Sequence, residues 1–171
     1  MDLRLVIFML GLEITNFRNK IMEALCSDQE IVNLIKDVRT AQVPDRGLIY
    51  KNIFPYAYNP DTVKDTDTFI CFRVYLPEGR EFNKTVRNLR IVFYVFSHQS
   101  KIRTKLGGLR TDLIVERIDD LFNGKMGIGI GRIEFASLDD INPSPNFHGS
   151  MIEYRVYDFN RPMIDGKSGA M

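Results

Sequence analysis

"NLRIVFYVFS", residues 88 to 97, is the stretch on which the fold turns. Its apolar side chains fall on both alternations of a strand, so no face is left for water, and only a strand covered on both sides satisfies such a pattern. It is predicted to be the central strand of a sheet. Working outward, "TFICFRVYL" (68–76) places Ile70, Phe72, Val74 and Leu76 on one face, and the intervening "PEGREFNK" (77–84) carries Pro77 and Gly79, a hairpin loop. On the other side "LRTDLIVERIDDLFNG" (109–124) sets Leu109, Leu113, Ile114, Ile118, Leu121 and Phe122 at helical spacing, with Gly124 where a helix stops. "GRIEFASLDDI" (131–141) and "NFHGSMIEYRVYDFN" (146–160) then read as two strands paired antiparallel across "NPSPNFHG" (142–149), whose prolines and Gly149 supply the bend.

Upstream of these strands, Leu12, Ile14, Phe17, Ile21, Met22 and Leu25 recur at spacings of three and four, an amphipathic helix. Ser27 with Glu30 has the form of a capping box opening a second helix through Ile31, Leu34 and Ile35, ending near Val38. Residues 40–66 hold Pro44, Gly47, Pro55 and Pro60, with "LIYKNIFPYAY" (48–58) as one irregular edge strand. The order predicts a single α+β domain over 9–161: a four- to five-stranded antiparallel or mixed sheet with helices packed on one face. Residues 1–8 are an N-terminal extension or the first turns of the helix, and 162–171 lack periodicity and are expected to be a disordered tail.

The composition, 44% hydrophobic and 26% charged with a net charge of +1, fits one globular core. Cys26 and Cys71 stand far apart in apolar settings and are expected to be reduced, buried thiols. His98 and His148 are isolated, so neither a metal nor any other cofactor is expected. "LRLVIFMLGL" (3–12) is too short for a bilayer and carries Arg4, so no membrane partner is expected.

Several stretches imitate chemistry. "GKS" (166–168) has Arg161 where a phosphate loop needs its first glycine, and "GIGIG" (127–131) leads into a strand rather than a helix, where glycines mark a bend or bulge. In 146–160 alternation sends Ile152, Tyr154 and Val156 to one face and Glu153, Arg155 and Tyr157 to the other, splitting the groups that a catalytic reading would combine. Glu153 and Arg155 fit a solvated or interfacial ladder, and no catalytic residue is assigned.

Charge distribution says more. Between Glu81 and Asp112 no acid occurs, while Lys84, Arg87, Arg90, Lys101, Arg103, Lys105 and Arg110 supply seven of the 23 basic residues, leaving 16 against the 22 acids. A charge run is ordinarily a solvated loop; the functional alternative is a surface that guides a polyanion without reading its sequence.

The element order, with "EALCSDQEIVNLI", "IYKNIFPYAYNP", "RIVFYVFSH", "LRTDLIVERIDDLF" and "EYRVYDFNR" in succession, resembles the tail-terminator and head-to-tail joining proteins of long-tailed bacteriophages and related prophages over residues 9–161. The resemblance implies a non-enzymatic virion protein, assembled in the host bacterial cytoplasm. Its partners would be its own copies in a ring, hexameric or alternatively dodecameric, the tail tube, the head connector or stopper, and DNA passing through the lumen without sequence specificity. On that reading Lys101, Arg103 and Lys105 are the candidate DNA-facing loop, and Ile53, Phe54, Tyr56 and Tyr58 with Glu153 and Arg155 the candidate subunit or partner interface. Two other classes stand against it. A small enzyme built on the C-terminal hairpin lacks a nucleophile elbow, a metal spacing or a paired acid and base, and a nucleic-acid-binding module is disfavoured by the near-neutral net charge.

Overall fold

The computed structural model describes residues 3–61, 65–77, 86–105 and 107–159, with side chains from Glu13 to Asp158. Helix α1 (Leu3–Ser27) runs unbroken from the segment predicted as an extension or first helical turns. Its Ile21 and Leu25 are fully buried, and Ile14, Phe17 and Met22 rest half-buried against the same core, as the spacing predicts. The chain breaks for one residue at Asp28 and resumes as α2 (Gln29–Lys36). Here the predicted capping box is displaced: Ser27 closes α1, and the Asp28 carboxylate accepts the N–H groups of Glu30 and Ile31 at 3.1 and 3.0 Å. A carboxylate also reaches a cation that a hydroxyl would not hold, and Arg117 grips Asp28 through both its Nε and Nη2. Helix α2 stops two residues before Val38, where Asp37 turns left-handed at φ 55°.

After a 3-10 turn (Arg46–Leu48) comes the two-residue strand β1 (Ile53–Phe54), the irregular edge expected of this region. It lies parallel to β2 (Thr68–Tyr75), which pairs antiparallel with β3 (Val86–His98). Helix α3 (Arg110–Phe122) follows, with Gly124 at φ 71° beyond its end, then β4 (Glu134–Ser144) and β5 (Phe147–Phe159). The strands stand in the order β1-β2-β3-β5-β4, a five-stranded mixed sheet in one α+β domain with β3 at its centre. Most of the predicted hairpin loop (78–84), Lys84 and the tail lie outside the described residues. Among those described, no helix is long and apolar enough to cross a membrane.

Both faces of β3 are covered, as its sequence requires. Leu89, Ile91, Phe93 and Val95 join Ile70, Phe72, Val74, Ile152, Tyr154 and Val156 beneath all three helices. On the opposite face Phe96, Phe69, Cys71, Phe147 and Phe54 form a smaller core, closed by Tyr58. Cys26 and Cys71 therefore lie in different cores on opposite faces, unpaired, and burial pushes both thiols up to about 11.

Three local readings need correction. Leu109 is 41% exposed at the N-terminal boundary of α3, while Arg110 is buried on the row of Ile114, Ile118 and Phe122, four residues apart. The β4–β5 connection is far tighter than residues 142–149, because β4 continues through the prolines' neighbourhood to Ser144 and β5 begins at Phe147. Gly149 is consequently not in the bend but inside β5 opposite Phe96, and a Cβ there would collide with the Val95 carbonyl oxygen.

Replacing Ile118, which is fully buried, by Asp places an unpaired charge in the helix-side core. That costs several kcal/mol, comparable to a domain's whole stability of roughly 5–15 kcal/mol, so the variant is expected to lose its cooperative melt by circular dichroism, while Glu116→Asp on the exposed face melts like wild type. The Asp28 clamp has its own signature. Burial pushes its carboxyl up, but the Arg117 hydrogen bonds and the N–H groups of Ile31 and Glu30 outweigh this and hold it below its ordinary value. A depressed carboxyl contributes stability that is present above its unfolded pKa, about 3.9, and is lost as pH falls through the lower folded value. Asp28→Asn is expected to melt lower at neutral pH and to show a shallower acid loss than wild type in melting curves from pH 7 to pH 2.

Candidate functional site

The basic band does not survive folding as one surface. Strand alternation sends Arg87 toward α1, where it pairs with Glu13 and with Asp158. Arg90, three residues on, faces the other way and pairs across the sheet with Glu153 at 2.8 Å. Arg110 is 3% exposed and donates to the Lys101 and Leu34 carbonyls and to Asp37, so it bolts the 101–109 loop to the end of α2. The Asp37 carboxyl is held below its usual range, chiefly by those hydrogen bonds. Of the three predicted DNA-facing residues, Lys101 is tied to Asp67, leaving Arg103 and Lys105 exposed and without an ion pair among the described residues. Arg110 was hidden in the band, yet the row 110, 114, 118, 122 marks it as inward-facing.

Between α2, α3 and this loop lies a cleft of about 680 Å³, over Leu34 and Leu113 and rimmed by Glu30, Arg39, Lys105 and Glu116. Its charges are mixed in sign, and its lining includes no histidine or thiol.

The predicted aromatic interface is also redistributed. Ile53 is fully buried in the helix-side core and Phe54 is 4% exposed in the other, so neither offers its side chain to a partner. Tyr58 stacks on Phe54 with centroids 4.1 Å apart and donates its hydroxyl to Asp65 at 2.6 Å, which with burial pushes that hydroxyl up to about 12. Tyr56 alone of the four is exposed, and it stacks against Tyr50, a neighbour the sequence did not single out. On β5, Glu153 is half-buried with Arg90 while Arg155 is exposed.

A stronger surface lies at the far edge of the sheet. Strand β4 pairs with β5 on one side only, so its outer edge has no strand beside it among the described residues. A register shift between Phe135 and Ser137 inserts one residue, so Phe135 pairs with Tyr154 and Leu138 with Ile152, both toward the helix side. Helix α3 packs over β3 and β5 and leaves Phe135 48% and Leu138 55% exposed. Ile130 is bare in the turn that follows α3, where its N–H donates to the Tyr157 carbonyl of β5, while the exposed Tyr157 side chain lies on the other alternation of that strand. Gly129, at φ 68°, lets this glycine-rich turn settle on β5, since a Cβ would strike the Tyr157 carbonyl oxygen. Phe135 and Leu138, two of the nine exposed large apolar side chains among the described residues, thus stand together on one sheet edge, and bare apolar neighbours of this kind are what an interaction surface offers.

A family model matches residues 28–156, from the α2 cap to Val156, the last buried apolar side chain of β5 among the described residues. The chain belongs to the YomW family. That family is phage-derived, of the kind carried by SPbeta-like prophages of Bacillus, so the fold and its bare edge belong to a phage-associated protein. No curated protein matches. Within this YomW chain Leu138 reads as surface rather than core. Leu138→Ser is expected to change unfolding free energy by no more than about 0.5 kcal/mol in urea melts, whereas Ile152→Ser, its buried register partner, costs about 2 kcal/mol or more.

Proposed function

We propose that this YomW protein is a non-enzymatic structural component of a long-tailed phage or prophage virion: a ring subunit at the head-tail interface that terminates the tail tube and joins it to the head connector. The observation that carries the reading is the β4 edge, an 11-residue strand with no strand on its outer side among the described residues and with Phe135 and Leu138 bare, in a protein of a phage-derived family. Unpaired strand edges invite pairing, and closing a ring of identical subunits covers them. Its partners are further copies of itself, in a hexameric ring, together with the tail tube and connector. The ring assembles in the host cytoplasm and ends in the virion.

DNA passing through such a ring needs counter-charge and no base readout. Arg103 and Lys105, bare on their loop, fit that role better than the band as a whole, whose other described members are held in ion pairs.

Multi-angle light scattering over a wide concentration range, alone and with tail tubes and connector added, is expected to reveal a closed oligomer. A monomer under all of those conditions overturns the ring. The purified protein should bind DNA weakly and without sequence preference, and Arg103→Glu with Lys105→Glu should reduce the slope of log affinity against log salt by about 2 while leaving the melt unchanged. Tight, sequence-specific binding would instead identify a nucleic-acid-binding module.

A further inference from the structure

The two edges of the sheet are chemically unlike. The β4 edge, "EFASLDDINPS" (134–144), carries Glu134, Asp139 and Asp140 and no base. At the other edge β1 is only two residues long, and the surface there is made by Tyr50 and Tyr56, 62% and 47% exposed, their rings stacked with centroids 6.3 Å apart. Exposed Lys51 adjoins them. Tyr50 sits at φ 59°, a left-handed conformation that a bulky side chain rarely adopts, held where its N–H donates to the Ile53 carbonyl. Strain of this kind persists where surrounding structure enforces it, and here its effect is to present an aromatic ring to solvent.

We propose that the partner of the β4 edge is the Tyr50–Tyr56 side of the next copy of this chain, so that subunits meet head to tail through unlike edges. The proposal rests on the ring reading above and names its interface. Pairing β4 with β4 of a second copy would set a strand with three acids and no base against itself, and like charges across a strand pair repel. Against the other edge, Phe135 and Leu138 meet two tyrosine rings, a residue type enriched at interfaces, while Lys51 meets Asp139 and Asp140. A contact between two different surfaces is also the kind that propagates and closes into a ring, whereas a contact between like surfaces ends at a dimer.

Cysteine cross-linking tests this directly. The native thiols Cys26 and Cys71 are 0% and 1% exposed, so Leu138→Cys and Tyr50→Cys introduce single accessible reporters. Each variant is treated with a short bis-maleimide, alone and mixed with the other, with tail tubes present. A cross-linked dimer is expected only in the mixture, and the chain carrying both substitutions is expected to give a ladder ending at the ring's subunit number. Cross-linking of Leu138→Cys with itself overturns the proposal in favour of like edges. No cross-link in a preparation that light scattering shows to be oligomeric overturns it while the ring stands; a monomer throughout overturns both.

Discussion

Strand β3 is hydrogen-bonded on both sides and apolar on both faces, so the chain must provide two separate coverings for one sheet. Three helices provide the first, over Leu89, Ile91, Phe93 and Val95. The second comes from the end of β1 and the segment after it, which lay Phe54 and Tyr58 over Phe69, Phe96 and Phe147. Each fully buried side chain of this size contributes about 1.5–3 kcal/mol, against about 0–1 kcal/mol for an exposed ion pair, so the coverings dictate the architecture and the surface charges follow. The coverings are unequal in extent. Neither reaches the edge at Phe135 and Leu138, and the half of the sheet bearing Arg73 and Arg155 stays open to solvent on the side away from the helices.

The same alternation decides what the basic residues do. Arg87 and Arg90 are three apart in a strand, an odd spacing, so they emerge on opposite faces and are engaged by different acids. Arg110 lies on the inward row of α3, where an unpaired guanidinium would be costly; the two carbonyls and the carboxylate around it remove that penalty. Arg117 does similar work from the half-buried side of α3, joining it to the Asp28 cap. A run of cations in sequence has thus become a set of struts between α1, α2, α3 and the sheet. What remains for an outside partner is the part of the loop that no element needs, Arg103 and Lys105.

The elements legible in the sequence were those whose period is carried by many residues at once: the helix from Ile14 to Leu25, the two-faced strand 88–97, and the split of Ile152, Tyr154 and Val156 from Glu153 and Arg155. Features set by a single residue's partner were not legible. Asp28 displaced Ser27 as the cap because Arg117, 89 residues away, is within reach of its carboxylate. Gly149 looked like a turn residue because the need for it comes from the Val95 carbonyl on the neighbouring strand. Ile53 and Phe54 were assigned to an interface because nothing local reveals that, once the expected edge strand adds to β2, their side chains turn into the two cores. The bare apolar edge was missed for a similar reason: simple alternation puts Phe135 and Leu138 on opposite faces, and only the bulge between them brings both to one.

That bulge bears on how an exposed strand edge stays specific. A flat edge with apolar side chains pairs with any available strand, and natural edges are guarded by bulges and charges. Strand β4 has both, with register irregularities at Phe135/Ser137 and Ile141/Ser144 and acids at Glu134, Asp139 and Asp140. Such guards do not close the edge to every partner. They raise the cost of pairing with another acidic or flat strand while leaving Phe135 and Leu138 accessible to a surface that brings aromatic rings and a cation, so selectivity comes from what the edge repels as much as from what it attracts. On the proposed ring reading this matters before assembly as well as after it, since each copy would have to stay in solution with that edge uncovered until the next one arrives.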